Sequence, residues 1–455
     1  MNKKMIGILL LCLAGITSIF LVVHKNTKKE KTEVNELTAS VLSVSQDKVT
    51  VTDTNQGIYT FSIKDLKANV GDSIVIRYAG LIDKEKELQD NAVIEYSTLT
   101  QVDDDLLPTE WLEEGLFQDY YQKAYDKLKT LSLDERIGQL LLVRYKEDTA
   151  IKDLNTYHFG GFVFFEKDFK NKTSDAVKTM INDLQKNATI PLLTAVDEEG
   201  GKIVRVSSNP NLVSTPFKSS KDLYKEGGFP KITTDTKEKS NILYKLGLNL
   251  NLAPVVDVST NASAYMYERS FGADTALTST YAKTVIEASK GTGVSYTLKH
   301  FPGYGNNTDT HVGSSTDNRT YDSILDNDIP PFDAGIHAGA EAVLVSHNIV
   351  TSIDNTNPAS LSPSVHNILR NRLNFSGIII TDDLDMGATS SIQNRTVRAL
   401  LAGNDLIITT DYAESFSELK SALNDDTISE DLVNRVALRV LAWKYYKGLI
   451  FENEK

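Results

Sequence analysis

From residue 134 onward, short apolar runs alternate with amphipathic stretches, and this alternation limits the possible folds more than any other feature of the chain. Eight runs stand out, at residues 139–143, 161–165, 192–196, 250–256, 295–299, 342–346, 378–381 and 405–409. Short apolar runs without polar alternation fit strands buried on both faces. Between them, at 174–187, 235–246, 278–290, 364–373 and 414–423, apolar residues recur at the three-and-four spacing of helices with one buried stripe. Strands alternating with helices imply βα units and a parallel sheet. Eight units in about 310 residues predict a TIM-type (β/α)8 barrel, an α/β fold, with room for one irregular or missing helix. A doubly wound sheet would want a Gly-rich phosphate turn after its first strand, and none follows residue 143.

The stretch ahead of the barrel has a different pattern. β-branched segments at 39–44, 49–51, 58–63, 73–78 and 91–97 are separated by turn residues, which predicts a small all-β domain. Trp111, Leu112, Leu116, Tyr120, Tyr121, Ala124, Tyr125 and Leu128 then mark a leading helix. At the front, residues 5–23 are almost wholly apolar and follow Lys3 and Lys4. The run is longer than a usual signal-peptide core and close to the length that spans a bilayer, and no small-x-small cleavage site follows it. Lys25, Lys28, Lys29 and Lys31 outnumber the lysines before the span, which by the positive-inside rule favours a cytoplasmic body. A short basic N-terminus ahead of an apolar span is the usual export signal. The expectation is therefore a single-pass transmembrane anchor in the cell membrane with the body extracytoplasmic. The domain plan reads as residues 1–31 anchor and linker, 32–104 small β domain, and 105–455 barrel with its leading helix.

Composition excludes several functions. A net charge of −13 without a basic stripe argues against a nucleic-acid partner. Cys12 is the single cysteine, so no disulfide can form within the chain. No residues stand at zinc-ligand spacing, and there is neither a G-x-S-x-G elbow nor a phosphate loop, so no metal or cofactor is expected.

In a TIM barrel, chemistry sits at the C-terminal ends of the strands. The third run ends in Asp197-Glu198-Glu199, with Arg205 beyond. The fourth runs on to Asp257, with Arg269 in the following loop. The fifth ends in Lys299-His300 and opens into a Gly-, Pro- and Asn-rich loop carrying Asp309 and His311. The sixth ends in Ser346-His347-Asn348 and the seventh in Thr381-Asp382-Asp383. Charged groups at one end of five successive runs point to a polar binding site. Carboxylates accept from sugar hydroxyls while Arg and Lys donate to their oxygens, so a carbohydrate is the expected substrate. Glycoside cleavage wants a nucleophile or base on one face and an acid on the other. Asp382 suits the first role and His311 the second. Residues i and i+2 of an extended segment share a side, so Asp309 could orient the His311 ring.

Several stretches resemble glycoside hydrolase family 3, and within it the NagZ-type β-N-acetylglucosaminidases. They are Ala195 to Arg205 (AVDEEGGKIVR), Leu246 to Asp257 (LGLNLNLAPVVD), Lys299 to Gly303 (KHFPG), Asp309 to His311 (DTH), Pro358 to Ser362 (PASLS) and Gly377 to Met386 (GIIITDDLDM). They occur in the family's order from about residue 131 to 449. The resemblance implies a retaining double displacement on N-acetylglucosaminides of the cell wall. It implies Asp382 as nucleophile, His311 oriented by Asp309 as acid/base, and Asp197, Arg205, Arg269, Lys299 and His300 as the grip on N-acetylglucosamine. Tyr304 departs from the family pattern, which has a second histidine there. The loop to His311 looks about one residue short, and Ser314-Ser315-Thr316-Asp317 replaces the usual Leu-Pro. A wall-glycan-binding protein without turnover, a phosphorylase, and a family 3 β-glucosidase or xylosidase remain as alternatives.

Overall fold

The computed structural model describes residues 34–451, apart from 46, 53–57, 65, 69, 71–72, 83–87, 90–92, 100–106, 109–110, 306–308 and 311–312. The expected anchor at 5–23 and the candidate acid/base His311 lie outside the described residues. Among the described residues, no helix is long and apolar enough to cross a membrane. The chain divides into two compact units, residues 1–106 and 107–455.

The first unit is an antiparallel sheet of β1 (Val34–Ser45), β2 (Lys48–Thr52), β3 (Ile58–Ser62), β4 (Ser73–Ala79) and β5 (Val93–Leu99), in the order β3-β2-β1-β4-β5. β1 serves two neighbours because of its length: residues 34–40 pair with β4 and 40–45 with β2, with a register break between Val41 and Ser43. Side chains alternate across a pleated strand, so Val49 and Val51 of β2 and Ile74, Ile76 and Tyr78 of β4 share the buried face with Val41 and Phe61.

In the second unit the alternation of the sequence becomes a barrel. Its parallel strands are β6 (Leu141–Arg144), β7 (Gly161–Phe164), β8 (Leu193–Val196), β9 (Leu250–Asn251) and β10 (Ser295–Phe301). After the two-residue β11 (Thr316–Asp317) come β12 (Ala342–Val345), β13 (Ile349–Val350), β14 (Ile378–Thr381) and β15 (Ile407–Thr409). The eight barrel strands run in the order β14-β12-β10-β9-β8-β7-β6-β15. β6, β7, β8, β12 and β14 are four residues each and mostly buried throughout, as strands covered on both faces must be. The fourth run reads as a seven-residue strand in the sequence but forms only a two-residue ladder as β9. Pro254, which has no N–H, interrupts it. Contact with β10 continues through the carbonyls of Ala253 and Pro254, which accept from Thr297 (2.8 Å) and Lys299 (3.2 Å).

The ring is nearly closed. Between β14 and β15 there is a single bridge, Ile380 to Leu406, in which the Thr381 N–H donates to the Leu406 carbonyl (3.0 Å) and the Leu406 N–H to the Ile379 carbonyl (3.1 Å), and a side chain adds to it. Asp405, fully buried, accepts from the Ile379 N–H (2.7 Å) and from Arg370 Nη2 (2.6 Å), and pairs with Arg439. The helix Glu430–Tyr446 and the residues after it cover the N-terminal ends of the strands. Trp443 Nε1 donates to Glu341 (2.7 Å) just before β12, Lys444 Nζ to Gln139 (2.6 Å) just before β6, and Lys447 Nζ to the Asn249 carbonyl (2.9 Å) just before β9. With that end sealed, the opposite rim is left for chemistry.

Candidate active site

The polar residues at the C-terminal rim join into one chain of contacts. Lys299, at the end of β10, places Nζ 2.6 Å from Asp197 Oδ1 and 2.7 Å from Glu199 Oε1. Arg269 forks onto Glu199 with Nε at 3.1 Å and Nη2 at 2.6 Å, and Nη2 lies 3.4 Å from His300 Nε2. His300 Nδ1 is 2.8 Å from Asp257 Oδ2, and the Tyr304 N–H donates to the other oxygen of Asp257 at 2.7 Å. The Lys299–His300 and Phe301–Pro302 peptide bonds are cis.

Glu198, fully buried, sets the shape of the loop after β8. It accepts from the N–H groups of Arg205 (2.8 Å) and Val206 (2.7 Å) and from Ser207 Oγ (2.5 Å). Gly200 turns this loop at φ +97°, where a Cβ would meet the Lys218 carbonyl at 2.3 Å. Only glycine fits there.

Charge is balanced by burial and partners. Burial would raise the Glu199 carboxyl, but Arg269 and Lys299 outweigh it and hold the group well below the usual carboxylate range. Burial would likewise lower Lys299, yet Asp197 and Glu199 keep it above its ordinary value and protonated. Asp382 leaves β14 at the same rim, with the Asp383 N–H donating to its Oδ1 at 2.9 Å. Burial would raise its carboxyl. His347, His300, that N–H and Lys299 together pull it below the ordinary value, so it is ionised at neutral pH. Asp383, by contrast, is raised by burial. Its carbonyl faces His347 Nε2 at 2.9 Å, and His347 Nδ1 is 2.7 Å from Ser360 Oγ. A carbonyl only accepts, so Nε2 carries the proton.

The predicted site residues Asp197, Arg269, Lys299, His300 and Asp382 therefore meet at one rim. Asp309 joins them through Tyr265, whose phenol is raised by burial and faces both Arg269 and Asp309. Arg205 stands apart: its guanidinium lies 5.6 Å from the Phe165 ring centre, and its buried Nε has no partner among the described residues. Glu199, Asp257, Tyr265 and His347 also belong to the network. Each follows a barrel strand in the sequence, so position alone marks them as candidates, but nothing in the sequence pairs them. The unusual Ser314-Ser315-Thr316-Asp317 contains β11, which pairs in parallel with β13, and the Ile349 N–H donates to the Ser315 carbonyl at 2.9 Å.

Residues 132–443 match the family described as glycosyl hydrolase family 3 N terminal domain. The chain belongs to glycosyl hydrolase family 3. It is a glycoside hydrolase of the NagZ-type group, as its motifs predict. A β-hexosaminidase from Xanthomonas campestris pv. campestris (strain B100) is 30% identical over 291 residues, 62% of this chain and 86% of that protein. The β-hexosaminidase LpqI of Mycobacterium tuberculosis is 29% identical over 329 residues, 69% of this chain and 83% of LpqI. A solved family 3 β-N-acetylglucosaminidase from Paenibacillus sp. str. FPU-7 has a TM-score of 0.66 at 27% identity, covering 72% of this chain and 66% of that one.

Proposed function

We propose that this chain is an exo-acting β-N-acetylglucosaminidase that removes terminal β-linked N-acetylglucosamine from peptidoglycan-derived saccharides with retention of configuration. The enzyme is a β-N-acetylhexosaminidase by family; the bond, the natural substrate and the stereochemistry are the proposal. The observation that carries it is the setting of Asp382, a carboxylate kept ionised beside Lys299 and His300 at a rim of hydroxyl-binding groups. In this reading Asp382 attacks the anomeric carbon and forms a glycosyl-enzyme. His311, oriented by Asp309, protonates the leaving oxygen and then takes a proton from the attacking water. Asp197, Arg269, Lys299 and His300 hold the sugar hydroxyls, and Arg205, with its free Nε, adds a donor from the loop after β8. The apolar run at residues 5–23 anchors the enzyme in the cell membrane with the barrel outside.

Release of a chromogenic aglycone from an aryl β-N-acetylglucosaminide tests the reaction. Asp382→Ala should lower kcat by about 10³-fold or more, the order seen when a covalent nucleophile is lost. Normal activity in that variant ends the assignment. The first-formed sugar, followed by NMR, should be the β-anomer. Rates and products should be the same with and without phosphate; a sugar phosphate as product makes the enzyme a phosphorylase instead. Protease accessibility of the full chain on intact cells tests the orientation of the anchor.

A further inference from the structure

Tyr304, the residue that departs from the family pattern, has a hydroxyl with a defined task. Thr310 sits between Asp309 and His311 in the sequence. Its N–H donates to the Tyr304 hydroxyl at 2.9 Å, and its Oγ1 lies 2.8 Å from the same oxygen. Its carbonyl accepts from the Ala388 N–H at 3.1 Å, in the loop that follows Asp382. All the polar groups of Thr310 are thus engaged. One partner lies on the loop from β10 and one on the loop from β14. A phenol oxygen that accepts the Thr310 N–H still has its own proton to give to Oγ1.

Tyr304 is itself held fast. Its N–H is bonded to Asp257, the carboxylate that also holds His300. Its ring centre lies 5.7 Å from that of Tyr265 and 5.7 Å from that of His300, edge-on to the latter. Val255 and Met266 complete the packing around it. Tyr304 and Thr310 are both fully buried, at 2% and 1% exposure.

We propose that Tyr304 is a positioning residue for proton transfer: it holds Thr310, the residue between Asp309 and His311 in the sequence, against the loop that follows Asp382. The proposal rests on the reading of His311 as the acid/base. A side chain that only packs would act through its ring. One that positions the segment acts through its hydroxyl, and the two separate in Tyr304→Phe.

The test compares kcat/KM on a phenyl and on a 2,4-dinitrophenyl β-N-acetylglucosaminide. Dinitrophenolate departs without protonation, while phenolate needs it. Tyr304→Phe should lose about tenfold on the phenyl substrate, a part of the 10²–10⁴ that general acid catalysis contributes, and no more than about twofold on the dinitrophenyl one. Azide, which attacks without a base, should restore kcat of the variant on the dinitrophenyl substrate. Thr310→Val should show the same signature, and the double variant should lose no more than the worse single one. Equal losses on both substrates, no loss on either, or failure of both single variants to fold overturns the proposal. His311→Ala, measured alongside, reads the acid/base assignment separately. If it lacks the leaving-group signature, that assignment falls and the role of Tyr304 falls with it; if it shows the signature and Tyr304→Phe does not, only the present inference is overturned.

Discussion

Replacing Glu199 with glutamine isolates the carboxylate that Arg269 and Lys299 share. Arg269 donates to it through Nε and Nη2, and Lys299 Nζ lies 2.7 Å away. Glutamine keeps the size and one acceptor but turns the other into a donor facing a cation. Two buried cations then lose the carboxylate they share, and Asp197 stays within 2.6 Å of Lys299 Nζ. Unit charges about 4 Å apart interact by roughly 4 kcal/mol at an effective dielectric near 20. Removing one partner of a buried pair typically costs about 3–5 kcal/mol. Asp197 remains and its side chain is 19% exposed, so water relieves part of the loss. The expected cost is about 3 kcal/mol. Both tryptophans, Trp111 and Trp443, lie in the barrel unit, so urea denaturation followed by tryptophan fluorescence reads this unit. The pH dependence has a fixed sign. A carboxyl held below its unfolded value contributes stability in full above that value and loses it as pH falls through the folded one. The gap between wild type and Glu199→Gln should therefore be level from about pH 5 to 8 and narrow below about pH 4. A gap under about 1 kcal/mol at pH 7, the range of an exposed pair, or a gap that widens in acid refutes the reasoning.

Two further substitutions test other parts of the barrel. Burial holds Lys444 at about 7, and Gln139 Oε1 is its hydrogen-bond partner. Below that pH both folded and unfolded chains carry the proton and the full cost of burying it is present. As pH rises from about 7 to about 10 the unfolded chain keeps a proton the fold has released, so wild-type stability should rise. Lys444→Met should be more stable at neutral pH and rise less steeply than wild type across that window, the part left coming from Lys447, which burial also lowers; a variant less stable than wild type at pH 7 contradicts this. Asp257→Asn leaves one acceptor where His300 and the Tyr304 N–H now use two. At about 1–3 kcal/mol for an unsatisfied buried group, kcat/KM should fall by roughly 10–100-fold, and unchanged kinetics would remove Asp257 from the site.

The barrel was legible in the sequence because its strands are buried on both faces and so appear as unbroken apolar runs. The position of the rim was legible too, since five successive runs end in polar or charged residues. What the sequence left out was pairing. Asp197 and Glu199 are two residues apart and equally acidic, yet Glu199 takes both cations while Asp197 takes one. That choice depends on the turn built around Glu198 and Gly200, which no spacing rule contains. The helix Ser220–Lys245 was read only in its second half, because Gly227 and Gly228 break its apolar period with non-helical backbone. The helix Glu430–Tyr446 has too many buried faces to show one stripe: Trp443 and Lys444 are adjacent, and both are fully buried against strand starts.

Backbone ladders are indifferent to residue type, since every amino acid but proline brings the same N–H and carbonyl. Most joints of this barrel are of that kind and survive substitution unchanged. The joint between β14 and β15 has backbone bonds too, but it adds side chains to them. Asp405 and the arginines that meet it, Arg370 and Arg439, reinforce it at the end of the barrel opposite the polar rim. Single replacements there can loosen or tighten the ring without altering any residue of the polar rim. Asp382 directly follows the strand on its flank. Drift on the quiet side of the molecule can thus shift where Asp382 stands, giving natural variation or directed evolution a handle on the rim from the opposite end of the barrel.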